Sequence, residues 1–171
     1  MSQYNKKMIK KLPKAIRSEE FPLVLKAAKQ NDECKLAFLL AYGSGLRLAE
    51  VKSLQPENIQ ENTISVWSGK GGKDRVVPKP KGWKDWMTKN LPIKKSTRSL
   101  QRNFRASCKK AKLNQLYTFH SLRHGFATRL IESGVPISHV QTLMGHSDIS
   151  TTGIYLKARP MDALKSYEEL F

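Results

Sequence analysis

Thr63-Ile64-Ser65-Val66-Trp67, Gly69-Lys70-Gly71-Gly72 and Arg75-Val76-Val77-Pro78 follow one another in mid-chain, and their reading decides the fold. The first segment alternates like a strand with one buried face, the glycines permit a tight reversal, and the chain returns toward a proline stop. The pattern predicts an antiparallel β-hairpin with Lys70 at its tip. On either side the apolar residues recur at three and four instead of two, so the hairpin is a small sheet set in a mainly helical α+β domain.

Upstream, Gln55-Pro56 closes a helix that begins near Leu46 and turns Leu48, Val51 and Leu54 to one side. Gly43-Ser44-Gly45 separates it from an earlier helix starting about Asp32. Before that, Ser18 is placed to cap a helix whose first turn holds Glu19, Glu20 and Pro22. Met1 to Arg17 contains five lysines, one arginine and Pro13 without a sustained period, which reads as a basic linker or arm. The expected division is therefore an arm over 1–17 and one domain over 18–171.

Downstream, Trp83, Trp86 and Met87 suggest a short helix. Leu100, Phe104, Cys108 and Ala111 mark an amphipathic helix with Arg102, Arg105, Lys109 and Lys110 on its outer face. Two more helices are expected, from about Ser121 to Glu132 and between Pro136 and Met144, closed by Gly134 and Gly145. Ile149 to Leu156 can be helical, and Ala163 to Phe171 forms a last amphipathic piece.

The chain holds 31 basic and 14 acidic residues, a formal net charge of +17. A field of that size attracts polyanions and makes binding salt-dependent, although a ribosomal-type or merely solvated basic surface carries the same charge. The longest apolar run, Leu36 to Tyr42, is too short to cross a bilayer, and the lysine-rich start lacks the apolar stretch of a secretory signal. A soluble cytoplasmic protein without a membrane partner is expected. Cys34 and Cys108 have no ligand spacing and read as reduced packing residues. No HExxH, paired carboxylates or cysteine cluster suggests a metal, and the glycine turn joins strands instead of opening a helix, so no nucleotide cofactor is expected.

Several residues fit phosphoryl transfer, which needs a nucleophile, cations on the non-bridging oxygens, a base and an acid. His120 and Arg123 stand three apart, on one helix face; the spacing equally fits a helix-end histidine beside a surface arginine. Arg47 follows the glycine break and stands three before Glu50, which can orient it or form an ordinary surface ion pair. Lys70 is placed to reach a leaving oxygen, with Lys73 competing for the role. His146 follows the Gly145 turn, and Tyr155 offers a phenol that only neighbouring cations would activate. His124 and His139 read as structural.

In order, Gly45-Leu46-Arg47-Leu48-Ala49-Glu50, Gly69-Lys70-Gly71-Gly72-Lys73-Asp74-Arg75, His120-Ser121-Leu122-Arg123-His124, Leu143-Met144-Gly145-His146-Ser147 and Thr151-Thr152-Gly153-Ile154-Tyr155 resemble the tyrosine recombinase (phage integrase) family, its Xer-like prokaryotic branch above all. The resemblance implies a DNA breaking-rejoining catalytic domain. Arg47, Lys70, His120, Arg123, His146 and Tyr155 would be catalytic and Glu50 supporting, with Lys73, Arg75, Arg102 and Arg105 as DNA contacts. It further implies a double-stranded recombination site as substrate, a 3′-phosphotyrosyl intermediate, a homo-tetramer on DNA, nucleoid association, and neither metal nor nucleotide cofactor. The family's N-terminal core-binding domain is not matched, so a separate such domain or accessory protein is an expected partner. A non-catalytic DNA-binding or regulatory fragment and a type IB topoisomerase-like relaxing activity are the rival readings. The C-terminal piece resembles the family helix that docks on a neighbouring protomer, and folding back on its own domain fits equally.

Overall fold

The computed structural model describes residues 14–28, 31–67, 74–145 and 160–170. In chain order these form α1 (Phe21–Ala27), α2 (Asp32–Gly43), α3 (Leu48–Ser53), a 3-10 turn (Pro56–Asn58), β1 (Thr63–Val66), β2 (Arg75–Pro78), α4 (Asp85–Lys89), α5 (Thr97–Lys110), α6 (His120–Glu132), α7 (Ile137–Met144) and α8 (Pro160–Glu168). The predominantly helical α+β architecture is the expected one. β1 and β2 pair antiparallel with Ile64 opposite Val77 and Val66 opposite Arg75. Because side chains alternate along a strand, Ile64, Val66, Val77 and Arg75 share the inward face.

Two apolar clusters hold the fold together. The first gathers α1, α2, α3, the hairpin and α5, with Phe38 edge-on to Phe104 (5.4 Å) and Phe119 (6.0 Å). The second joins Phe126 and Leu130 of α6 to Val140, Leu143 and Met144 of α7 and to Leu164 and Tyr167 of α8. Helix α6 belongs to both, through Leu122 on one side and Phe126 on the other. A full turn of α6 therefore crosses the seam between the clusters, and Arg123 lies in it.

Local chemistry accounts for the helix limits. Asn31 caps α2 by accepting from the Cys34 N–H (3.1 Å), and Ser96 caps α5 by accepting from the Ser99 N–H (3.2 Å). Gly145 ends α7 in the left-handed conformation (φ +61°). Ser18 does not cap α1 as expected. With Pro22 in the first turn the helix starts at Phe21, the Glu20 carboxylate takes the Arg17 N–H (2.9 Å), and the Ser18 hydroxyl accepts from Tyr42 instead (3.4 Å).

The arm was expected to run to Arg17, yet Ile16 is a core residue, 2 % exposed, whose N–H donates to the Ser121 carbonyl of α6 (3.1 Å). Gly125 makes the crossing possible: a Cβ there would stand 2.5 Å from the Ile16 carbonyl oxygen. At the other end, α8 lies on its own domain. Tyr167 stacks near Phe126 (6.4 Å), and Ser166 Oγ lies 2.8 Å from His139 Nδ1. The helix expected over 149–156 lies outside the described residues. Both cysteines are buried and unbridged, and among the described residues no helix is long and apolar enough to cross a membrane.

Candidate active site

Arg123, on the first turn of α6, is 2 % exposed, an unusual position for a guanidinium. It is tolerated because its donors are used: one Nη donates to the Gly45 carbonyl at the α2–α3 break and the other to the Met144 carbonyl at the end of α7. The Met144 carbonyl is a helix-end acceptor and the Gly45 carbonyl lies in the break between α2 and α3, so neither has a partner within a helix. Burial and then the neighbouring Arg47 lower the Arg123 pKa, while Glu50 opposes them. A guanidinium starts high enough to stay charged at neutral pH regardless.

Glu50 is the hub. Its Oε1 accepts from Arg75 Nη1 (2.7 Å) and Arg47 Nη1 (3.0 Å). Its Oε2 accepts from Arg75 Nη2 (2.9 Å) and the Arg47 backbone N–H (2.7 Å), and lies 3.9 Å from Arg123 Nη1. Burial alone would raise this carboxyl, but the bonds from Arg75 and from the Arg47 backbone outweigh it and hold the pKa at about 2. The i,i+3 geometry anticipated for Arg47 and Glu50 is present, and the Glu50 side chain is only 10 % exposed, so the pair is not an ordinary surface one. Arg47 Nη2 also donates to the Gly145 carbonyl (3.1 Å), yet its side chain keeps 41 % exposure and faces solvent.

His120 opens α6 and stands exposed at the edge of this cluster, its ring edge-on to His124 at 4.7 Å. Partial desolvation of the ring, then Arg123 and Arg47, lower its pKa from the ordinary 6.5. The imidazole is thus biased toward the neutral, proton-accepting form at pH 7. Arg47, Glu50, His120 and Arg123 are brought together. Lys70, Lys73, His146 and Tyr155 lie outside the described residues.

Arg102 and Arg105 are exposed on the outer face of α5, free to meet a polyanion. Arg75 differs from its expected role as a DNA contact. Its side chain is 5 % exposed, its fork is taken by Glu50, and its Nε donates to the Leu143 carbonyl (2.8 Å). The missed signal was the register: Arg75 sits two before Val77 on one strand face, and that face is apolar. Among the described residues no group of three His, Cys, Asp or Glu gathers as a metal site.

The sequence model of the Phage integrase family matches residues 14–161, which is most of the chain. This chain belongs to the phage integrase family. Tyrosine recombinase XerA of Pyrococcus horikoshii is 36 % identical over 173 residues, covering 90 % of this chain and 60 % of the relative. A solved XerA recombinase superposes with TM-score 0.67 at 25 % identity over 92 % of this chain and 65 % of that one. A lambda integrase tetramer bound to a Holliday junction shares the fold, with TM-score 0.60 at 21 % identity over 85 % of this chain and 50 % of that one. The chain spans about three fifths of the length of the curated integrase-family relatives it matches.

Proposed function

We propose that this chain breaks and rejoins DNA strands as the catalytic domain of a site-specific tyrosine recombinase. One observation carries the reading: Arg47 and Arg123 converge on Glu50 beside His120, and both donate to the carbonyls immediately preceding His146. Three guanidiniums against one carboxylate leave an excess of two positive charges where a phosphodiester would sit. The attack on phosphorus builds roughly two negative charges on the non-bridging oxygens, and fixed donors aimed at that charge lower the barrier.

In this reading the Tyr155 phenolic oxygen forms a bond to phosphorus as the bond to the 5′-oxygen breaks. The phenolic proton passes to a base, for which neutral His120 is suited, and Lys70 or Lys73 returns one to the departing 5′-oxygen. His146 adds a donor to phosphate. The resulting 3′-phosphotyrosyl ester is then attacked by the 5′-hydroxyl of a partner strand. One ester replaces another, so the exchange is nearly balanced in energy. The exposed basic face of α5 would track the duplex, four protomers would hold the junction, and a core-binding domain or accessory protein would complete the grip on a recombination site.

Nicked suicide duplexes of candidate sites, followed by a denaturing gel, test this. A covalent protein–DNA adduct that disappears in Tyr155→Phe while DNA binding persists is expected. Binding without any adduct would favour a regulatory DNA-binding fragment, and an adduct from Tyr155→Phe would mean a different nucleophile.

A further inference from the structure

The Arg75 side chain is almost wholly buried, yet it makes the tightest claim on Glu50. Its two Nη atoms cover both carboxylate oxygens at 2.7 and 2.9 Å, while Arg47 Nη1 takes one at 3.0 Å and Arg123 Nη1 stays at 3.9 Å. A carboxylate paired this way with one guanidinium has spent most of its acceptor capacity in the fork geometry it prefers. Arg47, whose side chain keeps 41 % exposure, and Arg123, which the Gly45 and Met144 carbonyls hold, are therefore left beside Glu50 without being neutralised by it. The third bond of Arg75, from Nε to Leu143 O, and its fit against Gly145, where a Cβ would come within 3.0 Å, fix the fork in place.

We propose that Arg75 is a positioning residue of this site: by occupying Glu50 it keeps that carboxylate from capturing Arg47 and Arg123, and so preserves their affinity for a phosphodiester. The identity of the anion as DNA rests on the recombinase reading; the competition between Glu50 and an incoming phosphate does not. Without Arg75 the excess charge of the cluster falls from two to one, and Glu50 closes on Arg47, the more exposed of its remaining neighbours.

The test uses the full 171-residue chain, wild type and Arg75→Met, Arg75→Lys and Arg75→Met/Glu50→Gln. Inorganic phosphate is titrated against the guanidinium NMR signals of Arg47 and Arg123, at a temperature where thermal unfolding shows each variant folded. Arg75→Met is expected to weaken phosphate binding about tenfold or more, as loss of a charge-assisted contact does. Glu50→Gln in that background should restore most of it, because a neutral amide no longer competes. Arg75→Lys, which keeps one cation on Glu50, should retain most of the affinity and is the informative variant if Arg75→Met does not fold. Phosphate binding within about twofold of wild type in Arg75→Met would overturn the proposal, as would a loss that the double variant fails to reverse or that Arg75→Lys shares in full. Adduct formation on nicked duplexes is measured in parallel. Wild type without adduct but with the phosphate pattern above would remove the recombinase reading and leave the role of Arg75 standing.

Discussion

Two regions of this molecule are rich in arginine, and they use it in opposite ways. On α5, Arg102 and Arg105 stand in solvent on the outer face of an amphipathic helix, together with Lys109 and Lys110. At the seam of the two apolar clusters, Arg123 and Arg75 are almost wholly enclosed, and every Nη of the two donates to a carbonyl or to Glu50. A solvated cation contributes long-range attraction that salt screens, whereas an enclosed one contributes geometry that salt scarcely touches. The same residue type thus serves recruitment at one place and alignment at the other.

Breaking the seam should have the largest effect. Glu50→Ala leaves buried guanidiniums uncompensated and should cost about 3–5 kcal/mol of stability, read from urea unfolding at neutral pH. A cost below about 1 kcal/mol would show the cluster to be as loosely held as a surface pair. Next, Arg47→Ala should slow adduct formation by about 3–4 kcal/mol while changing stability far less, since its side chain is 41 % exposed. A loss under tenfold would remove it from the reacting centre.

Acid sharpens the comparison further. Glu50 is held at about 2 against an ordinary 4.5, so its contribution is complete above the unfolded value and is lost as pH falls through the folded one. Wild type should lose about 3 kcal/mol more than Glu50→Gln between roughly pH 5 and 2. Parallel curves for the two proteins would contradict the ascription. The smallest effect belongs to α5: Arg102→Ala or Arg105→Ala should leave stability within about 0.5 kcal/mol and lower the salt slope of DNA binding by about 0.9 each if each meets one phosphate. A change in unfolding larger than that would mean α5 is more than a charged face.

The hairpin, the order of helices and the pairs Arg47/Glu50 and His120/Arg123 were legible because each depends on spacing along a few residues, whereas the meeting of the two pairs was implied by the family resemblance alone. Three and four residues place side chains on one helix face, and two place them on one side of a strand. The burial of Arg75 was not read, because its charge argued for solvent while its register with Val77 argued for the interior, and only the partner strand decides between them. Nor was the end of the basic arm: Ile16 is one apolar residue among lysines, and its place in the core depends on Ser121, over a hundred positions away. The Ser18 cap of α1 did not form for a local reason: the helix starts at Phe21, and the Glu20 carboxylate is occupied by the Arg17 N–H. Long-range acceptors such as the Gly45 and Met144 carbonyls leave no mark in the sequence at all.

The contact between Ile16 and Ser121, with Gly125 beneath it, has a mechanical side. The segment at Ile16 is tied to the Ser121 carbonyl, which lies between His120 and Arg123 in the chain. A tug applied ahead of Ile16 is borne first by that turn of helix, and any side chain larger than hydrogen at Gly125 would pry the two apart.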